Sequence, residues 1–188
     1  MKSFILFFLL VPAMAVTQQI QESTLVDASL ADFPNLHPIV VHVPIMLLMV
    51  AALTQIGSLF VWKKPLNWVT LLLLLGGVAG AIASSEWTHP HTTGLTEAAS
   101  QVLAHHDTYA AWTLWLSIGA LVLKGISMWL LRGHRWLEWL IALVVAGSAV
   151  AVGLTGHYGG TLVYIHGVGV QGNFVEGESD HDADGHTH

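Results

Sequence analysis

The chain has 188 residues, of which 54% are hydrophobic and 10% are charged, and its mean hydropathy is +0.63. An ordinary soluble domain carries about 25% charged residues, so this composition excludes a typical soluble globule. There is no cysteine, which excludes disulfides, thiolate metal sites and the covalent attachment of a c-type haem. The formal charge of −6 argues against a nucleic-acid partner. Histidine is the most unusual component, because the 12 histidines outnumber the 6 lysines and arginines together.

The N-terminus has the three parts of a secretory signal. Lys2 precedes an apolar run at residues 4–11, and Ala13-Met14-Ala15 supplies the small residues of a cleavage site. The run is too short for a membrane span, which needs about 20 apolar residues. We therefore predict a signal peptide over residues 1–15, followed by a polar, periplasmic N-terminal arm over residues 16–33.

Four long apolar stretches follow the arm, at residues 38–62, 67–85, 109–131 and 136–155. As helices, each would reach about 28 Å or more, which is enough to cross the hydrocarbon core of a bilayer. The sequence thus predicts an all-α membrane protein whose domain, residues 34–172, is a bundle of four transmembrane helices.

The basic residues indicate how this bundle is oriented. The segment 86–108 carries no lysine or arginine. The two short connections between stretches carry four basic residues: Lys63, Lys64, Arg132 and Arg135. The positive-inside rule places the short connections in the cytoplasm. We therefore expect a multi-pass protein of the bacterial inner membrane with both termini periplasmic. Lys124 is predicted near the cytoplasmic end of the third helix, where its side chain can snorkel to the surface.

Small residues predict where helices approach one another. Gly76-x-x-x-Gly80 and the stripe Ala146, Val150, Gly153, His157 both have the spacing that allows close backbone contact in membranes. The glycines of residues 156–170 instead suggest tight turns in a segment folded back on the mouth of the bundle.

The predicted topology brings eight histidines to the periplasmic end: His37, His42, His89, His91, His105, His106, His157 and His166. His42 lies one turn inside the first helix. His106 begins a stripe of small or weakly polar residues on the third helix, formed by Ala110, Thr113, Ser117 and Ala120. His105 begins a more aromatic stripe, so His106 is the better candidate to face inward. His89, His91 and His105 are interpreted as solvated.

Two segments resemble the DUF2231 family of bacterial membrane proteins: LHPIVVHVPI at residues 36–45 and GGTLVYIHGVGV at residues 159–170. The resemblance covers about residues 34–172. It implies a four-helix membrane domain, in some members joined to c-type cytochrome modules, and hence electron-transfer surroundings. Within the matching segments it draws attention to His37, His42 and His166.

The chemistry of this end suggests a non-covalently bound b-type haem, since axial imidazoles and small lining residues are what such a cofactor requires. We predict His42 and His106 as the axial ligands of the iron, with His166 as a substitute ligand or propionate partner and Glu86 as a hydrogen-bond acceptor for a ligand. A second haem would also need His37 or His157. The protein would then relay electrons to a periplasmic or membrane redox partner such as a c-type cytochrome, rather than act as a stand-alone enzyme.

The sequence also allows two alternatives to haem binding. The same histidines could bind copper or zinc, and Met46 and Met49 would suit Cu(I). Otherwise the rings could cap helices and bond to Glu86 or Asp107 in a cofactor-free structural subunit of a membrane complex.

The acidic tail, residues 173–188, is predicted to be disordered. Its segment 180–185 resembles the start of an EF-hand loop, but the position of the bidentate glutamate is not reached, so we expect no high-affinity calcium site. A simply solvated tail is the favoured interpretation. If the tail has a function, weak transition-metal capture is a better hypothesis than calcium binding and would use His181, His186 and His188.

Overall fold

The computed structural model describes residues 35–131 and 134–169. In chain order these residues form α1 (His37–Val40), α2 (His42–Phe60), α3 (Lys63–Ile82), a π-helix (Ala83–Trp87), α4 (Glu97–Trp129) and α5 (Arg135–Tyr164). No strand occurs within these two ranges. The predicted signal peptide, N-terminal arm and tail all lie outside the described residues.

Four helical segments are long and apolar enough to cross a membrane: His37–Phe60, Lys63–Trp87, Glu97–Trp129 and Arg135–Tyr164. The prediction of an all-helical membrane domain with four spans is therefore confirmed. The first span joins α1 and α2, and the second joins α3 and the π-helix.

The spans form a ring in which α2 packs on α3, α3 on α4, α4 on α5, and α5 on α2. Hydrogen bonds join the late residue Gln55 of α2 to the early residue Glu138 of α5, and α2 and α3 are linked by only Val61 and Trp62. Neighbouring spans therefore run in opposite directions. We call the end that contains Lys63 and Arg135 the basic end, and the end that contains His37 and His106 the histidine end.

The centre of the ring is apolar and tightly packed. Leu48, Leu74, Ile141 and Val145 are fully buried there. The predicted close approach of helices at Gly76-x-x-x-Gly80 is confirmed between α2 and α3, where a Cβ on Gly80 would lie 2.9 Å from Cδ of Pro44. The intervening Gly77 is tighter still, because its Cβ would lie 2.6 Å from Cδ2 of Leu48.

The second predicted packing stripe is wrong. Val150 is 64% exposed, Gly153 and His157 are also exposed, and a Cβ on Gly153 would meet no atom within 4 Å. The stripe faces away from the bundle because α5 buries a different face, through Ser148, Ala151 and Val152.

The third span begins earlier than its apolar stretch. Its helix, α4, starts at Glu97 rather than at residue 109, and the Thr96 side chain caps it by accepting a hydrogen bond from the Ala99 backbone nitrogen. The predicted long connection 86–108 is thus reduced to residues 88–96. Hydropathy misses the extension because residues 97–108 are largely polar although they continue the helix.

The first part of the glycine-rich segment, residues 156–164, is helical and does not form the predicted tight turns. The helix α5 continues to Tyr164, with Leu162 buried in its last turn. A positive φ first appears past the helix end, at Gly167 and Gly169, with φ values of 64° and 82°. The glycines before Tyr164 therefore tolerate a helix instead of creating turns.

Candidate metal centre

Three side chains at the histidine end, those of His89, His106 and Asp107, each offer one ligand atom, and these atoms all lie within 4.8 Å of one another. His89 comes from the connection 88–96, while His106 and Asp107 are adjacent on α4. The Nε2 atom of His89 lies 3.5 Å from Oδ1 of Asp107, and the two side chains are 36% and 51% exposed. The group is therefore open to water on one side.

His106 is held from the opposite side by α5. Its Nδ1 atom lies 3.0 Å from the carbonyl oxygen of Thr155. Because a carbonyl can only accept, Nδ1 must carry the hydrogen, and the neutral ring keeps its lone pair on Nε2. A ring that donates one N–H to a backbone carbonyl while the other nitrogen is free has the arrangement of most metal-binding histidines.

The space beside the His106 ring is filled by the backbone of α5. A Cβ added to Gly159 would lie 3.4 Å from both Cε1 and Nδ1 of that ring. Gly159 and Thr155 are one helical turn apart, so the ring contacts a single face of α5 at both positions. The predicted inward stripe of α4 is confirmed, since Thr113, Ser117 and Ala120 below His106 are buried.

His37 joins the same region from the first span. Its Nδ1 atom lies 3.1 Å from the carbonyl oxygen of Ser84, in the π-helix that ends the second span. The centroid of its ring is 5.4 Å from that of His89 and 6.4 Å from that of His106. The structure thus brings His37, rather than His42, to His106.

His42 lies elsewhere on the first span. Its side chain is exposed, and its Nδ1 atom is bonded to the carbonyl oxygen of Pro38 in the preceding turn. The pairing of His42 with His106 on one iron stays a prediction, but the contacts of His42 are local to its own span. Met46 and Met49, on the side of α2 assigned to His42, are 66% and 46% exposed.

The remaining predicted residues lie around the centre. His157 is exposed and lines a shallow groove of about 340 Å³ on α5. Its ring meets that of Tyr158, which also stacks on His105 and Tyr109, at 5.3 and 5.5 Å between ring centroids. His166 is half-buried in the turn after α5, and Glu86 is exposed.

A second polar cluster lies at the basic end and corrects the expectation for Lys124. The side chain of Lys124 does not snorkel but is 0% exposed. Its Nζ atom donates hydrogen bonds to Oε1 of Gln55, Oδ1 of Asn67 and Oε2 of Glu138, at 2.7, 2.8 and 2.8 Å. All three hydrogens of the ammonium group therefore have acceptors, which a buried charge requires.

The Glu138 carboxylate completes this cluster, which we call the lysine network: Gln55, Asn67, Lys124, Ser127 and Glu138. Besides Lys124, it accepts hydrogen bonds from the Gln55 amide and the Ser127 hydroxyl. Glu138 was not predicted from the sequence, although a lysine inside an apolar span signals that an acidic partner is needed on another span.

Comparison with known proteins gives a family but no further relatives. The model of the DUF2231 family, described as a predicted membrane protein, matches residues 34–172. No curated protein and no solved structure matches the chain. The matched range includes all four spans and both polar clusters, and the resemblance noted from the sequence is confirmed: the chain belongs to the DUF2231 family.

Proposed function

We propose that the protein is a membrane protein that binds one divalent transition-metal ion, Zn²⁺ or Cu²⁺, at the histidine end through His89, His106 and Asp107. The observation that carries this proposal is the convergence of three ligand atoms within 4.8 Å of one another. Imidazole nitrogen and carboxylate oxygen are ligands that both ions accept.

The site needs a small adjustment to close on an ion. Ligand atoms around a tetrahedral ion with bonds of about 2.0–2.1 Å lie about 3.3 Å apart. The separations must therefore shorten, by about 1.5 Å at most. The exposed side chains of His89 and Asp107 can rotate, whereas His106 is fixed by Thr155 and supplies a stationary ligand.

Charge favours the approach of a cation to this end. Glu86, Glu97 and Asp107 are exposed here. The lysines and arginine among the described residues lie in the opposite half: Lys63, Lys64, Lys124 and Arg135. The same asymmetry supports an orientation with the histidine end in the periplasm, where the ion would bind from the aqueous side.

A b-type haem is the second candidate, and one observation favours it. The rings of His37 and His106 both donate Nδ1–H to a carbonyl and leave Nε2 free, and their centroids are 6.4 Å apart. Two axial imidazoles on one iron have a centroid separation of about 6 Å. With haem bound, the protein would relay electrons to a partner such as a c-type cytochrome. The macrocycle would have to displace the His89 ring, which contacts His37.

Metal analysis and spectroscopy of the protein purified in detergent test both candidates. We expect the chelator-treated protein to take up one equivalent of Zn²⁺ or Cu²⁺, with no Soret band in the protein as purified. A Soret band with sharp α and β bands after reduction would establish haem instead. If the protein takes up no metal and shows no Soret band, the cofactor-free subunit is the remaining candidate.

Matched variants locate the metal if it binds. Asp107→Asn removes the anionic oxygen ligand with little change in shape and should weaken Zn²⁺ binding at least tenfold. Glu97→Gln is the control, because Glu97 is another exposed carboxylate on the same helix. It should leave the affinity unchanged. Equal affinities for the two variants would show that the ion binds elsewhere.

A further inference from the structure

We infer that His37 is a fourth ligand of this ion, so that the occupied site has three imidazole nitrogens and one carboxylate oxygen. The inference rests on the proposed function and deepens it, because His37 is not among the three residues whose ligand atoms already converge. It would change an open three-ligand site into a closed four-ligand one.

The separation of the rings supports this role. Two imidazoles on one tetrahedral ion, with metal–nitrogen bonds of about 2.0–2.1 Å, have ring centroids about 5 Å apart. The centroids of His37 and His89 are 5.4 Å apart, with the ring planes at 78°. His37 therefore lies close to the distance from His89 that shared coordination requires, whereas its centroid, 6.4 Å from that of His106, must move about 1 Å closer to that ring.

The hydrogen bond of His37 selects the atom that would bind. The Ser84 carbonyl accepts from Nδ1 at 3.1 Å, which leaves the lone pair of the neutral ring on Nε2. His106 is prepared in the same way by Thr155. Two rings from different spans thus have the same tautomer, the His37 ring fixed by a carbonyl of the second span and the His106 ring by a carbonyl of the fourth.

The π-helix explains why His37 can be held here. The hydroxyls of Ser84 and Ser85 bond back to the carbonyls of Ala81 and Ile82, and the Ser84 carbonyl accepts from His37 and Thr88. Widened π turns are frequent at functional sites. In this protein the π-helix turns a backbone acceptor of the second span toward a histidine of the first.

His42 provides an internal comparison. It belongs to the same span and also has Nδ1 on a carbonyl, but that carbonyl belongs to Pro38 of its own first turn, and the ring is exposed. The His42 ring is therefore oriented by its own span, whereas the His37 ring is oriented by another span that also borders the centre.

A closed set of four ligands has a chemical consequence. Four-coordinate sites without an open position are typical of ions that are held firmly, whereas catalytic zinc keeps a position for water. The ion would also connect the first span, the connection 88–96 and α4. We therefore assign the site to retention of the ion rather than to hydrolysis.

The experiment first counts the imidazoles bound to zinc and then removes the His37 imidazole by substitution. X-ray absorption on the zinc-loaded wild-type protein should show three imidazoles, and substitution with Co²⁺ should give the intense visible bands of a tetrahedral ion. His37→Ala should bind Zn²⁺ about 10–100-fold more weakly and lose intensity in the Co²⁺ bands as water enters. His42→Ala should match the wild type in both measurements.

Each other outcome has a distinct meaning. Two imidazoles in the wild-type spectrum, or unchanged affinity and Co²⁺ bands in His37→Ala, would overturn the role of His37 and leave the three-ligand site standing. Failure of the wild-type protein to bind any metal would overturn the proposed function itself. The imidazole count uses the wild-type chain, so it decides the question even if His37→Ala fails to fold.

Discussion

The two ends of the bundle both gather polar side chains, but they leave them in different states. In the lysine network every hydrogen of the Lys124 ammonium group has an acceptor, and both oxygens of Glu138 are bonded. At the histidine end, the rings of His37 and His106 use one nitrogen each and keep the other free. Lys124 is fully buried, whereas His89 and Asp107 reach water.

This difference distinguishes polar side chains that stabilise the fold from polar side chains that can bind a ligand. Among the described residues, no buried side-chain nitrogen or oxygen lacks a hydrogen-bond partner, so burial alone does not point to a ligand site. The lysine network joins all four spans, through Gln55, Asn67, Lys124 and Glu138, and its ammonium and carboxylate groups are fully hydrogen-bonded within it. The histidine end retains lone pairs at an accessible surface, which is what a metal ion needs.

The largest effect is expected from breaking the lysine network. Glu138→Gln keeps the shape of the side chain but leaves the buried Lys124 charge without its counter-ion, which should lower the free energy of unfolding by about 3–5 kcal/mol. Reversible unfolding in mixed micelles measures this change. Glu86→Gln, at an exposed carboxylate, should stay within about 0.5 kcal/mol of wild type.

Restoring neutrality sharpens the same test. The double variant Lys124→Met, Glu138→Gln removes both charges and should recover most of the loss, because paired removal avoids an uncompensated buried charge. A double variant as unstable as Glu138→Gln alone would show that hydrogen bonding, and not the charge, dominates this end.

The next effect concerns the fixed ligand of the histidine end. His106→Ala should weaken Zn²⁺ binding about 100-fold, equivalent to about 2.7 kcal/mol, as measured by competition with a chromophoric chelator. His105→Ala removes the neighbouring, exposed ring and should leave the affinity unchanged. If His105→Ala has the larger effect, His105 and not His106 is the ligand.

Lowering the pH should test zinc binding at the histidine end without any substitution. Zn²⁺ at 100 times its dissociation constant should raise the free energy of unfolding by about 2.7 kcal/mol. Imidazole must be neutral to bind, so this gain should be present at pH 7.5 and disappear as the pH falls below the range where free imidazole titrates, about 6–7. A zinc-induced gain that persists at pH 5 would require carboxylates alone as ligands.

The smallest effect tests the packing that orients His106. Gly159→Ala places a Cβ 3.4 Å from the His106 ring, a close van der Waals contact that restricts the movement of the ring as it binds the ion, so Zn²⁺ affinity should fall by about tenfold or less. Gly156→Ala, where a Cβ meets no atom within 4 Å, is the control and should bind normally. Equal affinities would show that the ring has room to adapt.

The sequence by itself determined the four spans and the inward face of α4. Each span is visible because about 20 apolar residues in a row meet a requirement that the bilayer imposes locally. The stripe below His106 was predictable because helical periodicity places Thr113, Ser117 and Ala120 on one face. Helix ends were less predictable, since Thr96 caps a polar helical extension that hydropathy does not register.

Only the tertiary structure decided which residues meet. Gly76 and Gly80 pack against α2 while the similar stripe through Gly153 faces outward, because spacing marks a face of a helix but not its neighbour. Lys124 and Gln55 are 69 residues apart in the chain, so their bond depends on how the spans assemble. His37, and not His42, reaches His106 because the Ser84 carbonyl of another span holds its ring, a contact that no local pattern encodes.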